Sequence, residues 1–309
     1  MTKLAFIGTN EGNGHIFSWS AIVNGRYNPD LMKECGYPVI VDYLSKQPAE
    51  NLGIQDAYVT HVWTEDKNTA IKVAKTTYIE QVINTPEEAI GHVDAAVITT
   101  DIGSTHIPLA KPFIEAGLPV FIDKPLADNE DDLKTFYHWH NQGKKIMSCS
   151  SMRYAKEIRT SDFLSAGEIE FINGIMAKSW KRYGVHAVEG LCAIAGFGID
   201  SILNTGDENL NLAFIDFKSG LQCLLQVIYH STIFGRYDVF CRNKTWTVET
   251  KDFFYMFKKQ LQDIVEFVRT GTPPFPFSET VEIIKTVIAG IKSKREKRRV
   301  FLKEINLDS

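Results

Sequence analysis

Three stretches of the chain carry groups suited to chemistry. The first is VFIDKPLA, Val120–Ala127. Apolar Val120–Ile122 reads as a strand that delivers Asp123, Lys124 and Pro125 at its carboxyl end, where open α/β sheets bind ligands. An ammonium fixed there can hydrogen-bond a hydroxyl or carbonyl oxygen and stabilise negative charge developing on it. Pro125 fixes the backbone and biases Lys124 toward an extended conformation. The plainer alternative is an exposed lysine in a turn. The second stretch is IGTNEGNGH, Ile7–His15, set between the apolar runs Leu4–Ile7 and Ile16–Val23. That is the order strand, glycine loop, helix, and amides at a helix start can face a phosphate. The G-x-G-x-x-G template does not fit, because Asn10 and Asn13 stand where its second and third glycines belong. Asparagine adopts left-handed backbone better than most residues, and Gly12 and Gly14 leave room for close approach. The spacing alone fits a cofactor loop, a site for another ligand or a plain turn. Together with the stretches downstream, the segment is expected to be a rebuilt diphosphate loop, longer by a residue or two, that uses Gly8, Asn10, Gly12, Asn13 and Gly14, with His15 as an added contact. The third stretch, YGVHAVEGL, sets His186 near the start of a helix. Imidazole has a pKa suited to moving protons near neutrality; the alternative is a ring satisfied by backbone.

These residues need a scaffold, and the first half of the chain supplies an alternating one. Strands are expected at Leu4–Ile7, at the run ending near Trp63, at Glu80–Ile83, at Asp94–Thr100, at Leu118–Asp123 and at Lys144–Ser150. Helices are expected at His15–Asn24, Asn68–Thr77, from Pro86, at His106–Gly117 and at Asn129–Gly143. That alternation implies right-handed βαβ units and an N-terminal Rossmann-type doubly wound parallel sheet, spanning residues 1–150. Between Gly25 and Gln55 the pattern is irregular, with a helix near Asp30–Cys35 and a second element near Val39–Ser45. If the strand ending near Trp63 is the second strand, residues 25–55 are an insertion and Thr64 takes the place of the usual ribose-binding acid, with Glu65 and Asp66 beside it. The competing choice, a strand at Tyr37–Asp42, would give that role to Asp42. From residue 151 to 309 the character changes to an α+β domain. A helix over Ala155–Ala166, a long strand around Glu168–Trp180, a helix over Gly184–Ile194, several clustered strands forming an open, mainly antiparallel sheet, and two closing helices are expected. A cleft between two such domains is the usual place for a small molecule.

Composition narrows the classes. With a net charge of −4 and a sequence pI near 6.1, there is no basic excess to suggest nucleic acid or an anionic membrane as partner. No apolar run approaches a membrane span of about 20 residues. The N-terminus enters a strand without a signal-peptide pattern. The five cysteines are scattered and lack C-x-x-C spacing, so reduced thiols in the cytoplasm are expected rather than a disulfide framework or a zinc site. His138 and His140 lie two apart on one helix and do not share a face, so no metal is expected.

The stretch from Val93 to Ala127 resembles the strand, T-P-like loop, histidine, helix and E-K-P motif of the Gfo/Idh/MocA oxidoreductases. Lys145–Tyr154 is similar to the strand leading into their second domain, Tyr183–Leu191 to their histidine motif, and Pro274–Leu302 to their closing segment. The resemblance implies an NAD(P)-dependent enzyme that exchanges hydride with a sugar, inositol or other polyol, and a homodimer or homotetramer. It carries the family's proton-handling lysine and histidine onto Lys124 and His186. Loss of a carbinol hydride requires loss of the hydroxyl proton, so a base must lie within hydrogen-bond reach. Cofactor contacts carry over to Asp123 and Lys124, and to His106 if Asp101 and Ile102 take the T-P positions, with Thr100 as the alternative. No arginine follows Trp63 directly, which favours NAD over NADP, although Lys67 is close.

The departures are specific. The acid the family often has four residues before the histidine is replaced by Arg182, which cannot accept a proton. It could instead grip a carboxylate or phosphate on the substrate, or be a surface arginine. Tyr183 could donate to the substrate oxygen or pack. Glu189, one turn after His186, could orient the ring or the substrate. Two other readings share the framework: a non-catalytic ligand-binding relative, and an enzyme that uses NAD transiently to cleave a glycosidic bond.

Overall fold

The computed structural model describes residues 1–159 and 161–307. The chain divides into two compact units. The first comprises Met1–Asp123, His138–Ser148 and Phe257–Phe275, and the second comprises Lys124–Tyr137, Cys149–Met256 and Pro276–Ser309.

The first unit is a parallel six-stranded sheet. In chain order its elements are β1 (Thr2–Ile7), α1 (His15–Asn24), α2 (Pro29–Lys33), α3 (Pro38–Ser45), β2 (Ala57–Trp63), α4 (Lys67–Thr77), β3 (Gln81–Val82), β4 (Ala95–Ile98), α5 (His106–Glu115), β5 (Val120–Ile122), α6 (Glu130–Asn141, shared with the second unit) and β6 (Ile146–Met147). The strand order β3-β2-β1-β4-β5-β6 reverses direction between β1 and β4, which is the doubly wound Rossmann arrangement with its switch point beside the end of β1. Ala95, Ala96, Val97 and Ile98 are all fully buried, as a central parallel strand covered on both faces requires. β2 is the strand ending at Trp63, and it pairs in parallel with β1 along its length. The segment before it, with α2 and α3, leaves α1 and returns beside it: the Gly53 amide donates to the Ile22 carbonyl at 2.8 Å.

The second unit contains α7 (Lys156–Arg159), β7 (Ile169–Ala177), α8 (Trp180–Ala195), β8 (Ile199–Gly206), β9 (Leu210–Phe217), β10 (Gln222–Ile228), β11 (Phe234–Cys241), β12 (Lys244–Glu249), the start of α9 (Phe253–Thr270), α10 (Phe277–Glu296) and β13 (Val300–Phe301). Its seven strands run in the order β12-β11-β7-β10-β9-β8-β13. Every neighbouring pair is antiparallel except β7 with β10. Alternation sets the faces. Cys223, Leu225 and Val227 of β10 are buried on the side that α8 packs against. Phe214 and Phe240 project from the other face and are about two-fifths exposed.

Three elements differ from expectation. The helix expected from Pro86 is a single 3-10 turn, Pro86–Ala89. The single helix expected over Ala155–Ala166 is instead the one-turn α7, with 3-10 turns at Ser151–Tyr154 and Leu164–Ala166; Thr160 lies outside the described residues. The first of these turns is nucleated by Ser150, whose side chain accepts the Met152 amide and starts the backbone turning before the helical pattern begins. Strand β8 was not anticipated, because Asp200, Asn204 and Thr205 dilute its apolar alternation and turn-forming glycines flank it. Tertiary partners hold it in place instead: the Asn204 backbone N–H donates to the Ser293 hydroxyl, and its side-chain amide donates to the Gly290 carbonyl.

Candidate active site

At the carboxyl end of the first sheet, Gly8 turns the chain with φ +85°. A Cβ there would lie 2.8 Å from Thr100 Cγ2 and 3.1 Å from a Leu109 methyl, so both backbone conformation and space call for glycine. Gly12 supplies the second left-handed residue, with φ +81°. Asn10 and Asn13 do not, contrary to expectation; they act through their side-chain amides. The Asn10 amide clasps Asp101 at two points, donating to its carboxylate at 2.7 Å and accepting from its backbone N–H at 2.8 Å. The buried Asn13 amide donates to the Thr99 carbonyl (3.0 Å) and to Asp123 (3.1 Å), and its oxygen accepts the His15 backbone N–H at 2.9 Å. His15 Nδ1 lies 2.6 Å from the same Asp123 oxygen, and its ring stacks on Trp19 at 4.4 Å. The loop is thus tied by polar side chains to the ends of β4 and β5.

The neighbouring loops are equally tied down. His106 is fully buried with Nε2 3.0 Å from the Thr100 carbonyl, and the Thr100 hydroxyl meets that of Thr105. At the end of β2, the Thr64 hydroxyl turns back to donate to the Asp66 carbonyl at 2.6 Å. The carboxylate that reaches the glycine turn is Glu65, whose Oε2 accepts the Thr9 amide at 3.1 Å. The segment between α1 and β2 closes on the loop from another side: a Cβ on Gly14 would lie 2.5 Å from Ile40 Cδ1 and 2.7 Å from the Tyr37 ring. Tyr43, on α3, hydrogen-bonds the Ser18 hydroxyl on α1, and burial pushes its phenol pKa up.

A dinucleotide fits this edge. The left-handed Gly8 turn lies at the switch point beside the start of α1, where a diphosphate would be held. The Thr9, Asn13 and His15 amides are engaged within the unit by Glu65, Asn10 and Asn13, and Glu65 sits beside the turn where a carboxylate would accept ribose hydroxyls.

In the second unit, α8 presents Arg182, Tyr183, His186 and Glu189. Lys124 is 3% exposed, and its Nζ lies 5.6 Å from the centre of the Tyr183 ring. Lys178, held at φ +65° just after β7, donates from Nζ to the Tyr183 hydroxyl at 2.6 Å. The His186 ring is 5.0 Å from Tyr183 and 5.0 Å from Phe234. Lys124, Tyr183 and His186 are therefore brought together, with Lys178 as a neighbour that sequence reasoning missed. The signal available for Lys178 was only its place at the end of a strand. Arg182 is half-buried on the first turn of α8.

Beneath His186 lies a buried polar chain. His186 Nδ1 is 2.6 Å from Ser150 Oγ. The Ser150 amide donates to Glu189 Oε2 at 3.2 Å, Arg153 Nε donates to Glu189 Oε1 at 2.6 Å, and Arg153 Nη1 donates to Glu279 at 2.5 Å. Glu189 thus holds Ser150 and Arg153. Burial alone would lower the Arg153 pKa, but the two carboxylates more than offset this and push it up, so the guanidinium stays charged.

A cavity of about 700 Å³ near the β2–β3 edge, lined in part by Lys3, Tyr58, His61, Tyr78 and His92, includes none of these residues. Among the described residues no group of three or more His, Cys, Asp or Glu could hold a metal ion. No helix among them is long and apolar enough to cross a membrane.

A six-stranded Rossmann sheet with a glycine turn at its switch point, followed by a mainly antiparallel sheet, defines the class: an α/β protein of the doubly wound Rossmann type. Solved structures share it over nearly the whole chain. A probable dehydrogenase of Thermotoga maritima has a TM-score of 0.76 at 16% identity, covering 98% of this chain and 100% of its own. The myo-inositol dehydrogenase of Corynebacterium glutamicum has a TM-score of 0.75 at 14% identity, covering 98% and 99%. The scyllo-inositol dehydrogenase of Lactobacillus casei, solved with NAD(H) and scyllo-inositol, has a TM-score of 0.74 at 12% identity, covering 98% and 99%. No curated protein sequence matches. Residues 41–150 match the GFO_IDH_MocA model, an oxidoreductase family with an NAD-binding Rossmann fold. Over those residues the chain is similar to that family, and the solved structures share its fold. The matched span begins after the glycine loop, the part of the unit that departs furthest from the G-x-G-x-x-G template.

Proposed function

We propose that this oxidoreductase transfers hydride between NAD(H) and the carbinol carbon of a sugar, inositol or other polyol. The observation that carries the reading is the burial of Lys124 and His186 against one tyrosine ring, on a framework whose other unit is a Rossmann sheet. The first unit holds the cofactor, along the loop from Gly8 to His15, the Thr100–Asp101 turn, His106 and Asp123, with Glu65 in place of Thr64 on the ribose. A nicotinamide, when bound, supplies the hydride acceptor or donor. The Glu65 carboxylate beside the glycine turn favours NAD over NADP, because a 2′-phosphate there would meet like charge. The second unit handles the substrate oxygen. Lys124 and His186 bind that oxygen and manage its proton, Tyr183 donates to a neighbouring oxygen, and Arg182 contacts an anionic substituent if there is one. Five free, buried cysteines support a reducing compartment, the cytoplasm. The outward Phe171, Phe214, Leu224 and Phe240 of the second sheet support a homo-oligomer; a monomer mass by light scattering would count against it.

The test is turnover. Purified protein with NAD is presented with a panel of inositols, aldoses and uronates, following NADH absorbance. Reduction of NAD by at least one member is expected. NAD binding without turnover of any polyol, sugar or sugar acid would favour a ligand-binding relative.

A further inference from the structure

Ser150 is fully buried, and its hydroxyl touches two groups, the Met152 backbone N–H at 3.0 Å and His186 Nδ1 at 2.6 Å. A backbone N–H can only donate, so it occupies a lone pair of the oxygen. If Nδ1 also carried a proton, the hydroxyl would accept twice, and its own proton would be buried with no acceptor among the described residues. If the hydroxyl instead donates to Nδ1, all three groups are satisfied. The position of Ser150 is itself fixed: its amide is bonded to Glu189, whose other oxygen is held by the buried Arg153.

We infer that Ser150 is a positioning residue that fixes neutral His186 as the tautomer with its proton on Nε2. The inference rests on the reading above of His186 as a group at the substrate oxygen. It sets which ring nitrogen carries the proton in the neutral form, beside a Lys124 ammonium that can only donate. A tautomer fixed from the far side of the ring is how such a histidine is kept in one role.

The test reads the ring directly and needs no substrate. Full-length protein carrying ¹⁵N-labelled histidine is recorded in long-range ¹H–¹⁵N spectra, at a pH above which the ring signals no longer move. The His186 signals are assigned by their loss in His186→Asn. Wild type is expected to show the single Nε2–H pattern. Ser150→Ala should lose it, giving a mixture of both tautomers, and Ser150→Thr, which keeps the hydroxyl, should retain it. A wild-type ring protonated on Nδ1 would overturn the inference without any variant having to fold, as would a Ser150→Ala ring unchanged from wild type. NADH titration of the same samples reports separately on the functional reading, so the two can fail independently.

Discussion

The proposed cofactor edge and the lysine–histidine cluster are both held by polar side chains, but against different partners. In the first unit, Asn10, Asn13 and Glu65 bond mainly main-chain groups, the Asp101, His15 and Thr9 amides and the Thr99 carbonyl. In the second, the chain through Ser150, Glu189 and Arg153 ends on the His186 ring and on a second carboxylate, Glu279. Main-chain groups are common to all residues, so such a loop can be built from many sequences. The chemistry proposed for Lys124 and His186 needs those side chains themselves, so they stand in recognisable stretches while their supports do not.

The largest effect should come from breaking the buried chain in the second unit. Arg153→Met leaves Glu189 without its buried cation, and about 3–5 kcal/mol of stability should be lost. Urea unfolding checks this; a loss below about 1 kcal/mol would mean that the chain is not a structural support. Next comes Lys124→Ala, expected to lower turnover at least about a hundredfold while NADH binding persists. If binding falls as far as turnover, the division of roles between the two units is wrong. Gly14→Ala forces a methyl group against Ile40 and Tyr37. It should cost about 1–3 kcal/mol and weaken NADH binding, because it displaces the segment that covers the loop; unchanged stability would show that this segment yields freely. The smallest effect concerns the thiols. All five are buried, and burial pushes the Cys223 thiol up to about 12. At pH 8 folded protein should therefore label far more slowly with a thiol reagent than urea-unfolded protein, and equal rates would contradict the packing.

Much of the fold could be read from local pattern. The apolar run at Ala95–Ile98 and the alternation in β10 announce their faces within a few residues. β8 could not be read this way, because Asn204 is made tolerable by Ser293 and Gly290, almost ninety residues further along. The same holds at the sites. Lys124 and His186 could be singled out from a strand end and a helix start. Ser150 is 36 residues from the histidine it touches, and Arg153 is 126 from Glu279, so no spacing rule connects them. The glycine loop misled for a different reason. A template that counts glycines as conformationally free residues cannot register asparagines that act through their amides.

The central claim is that this rebuilt loop still holds a nicotinamide dinucleotide. Titration of the purified protein with NADH and NADPH, followed by nicotinamide fluorescence, tests it most directly. NADH should bind saturably and more tightly than NADPH, and Asn13→Ala should weaken NADH binding at least about tenfold, since three partners, two of them in buried bonds, lose their bond to it. Failure of both dinucleotides to bind folded wild-type protein would contradict the account.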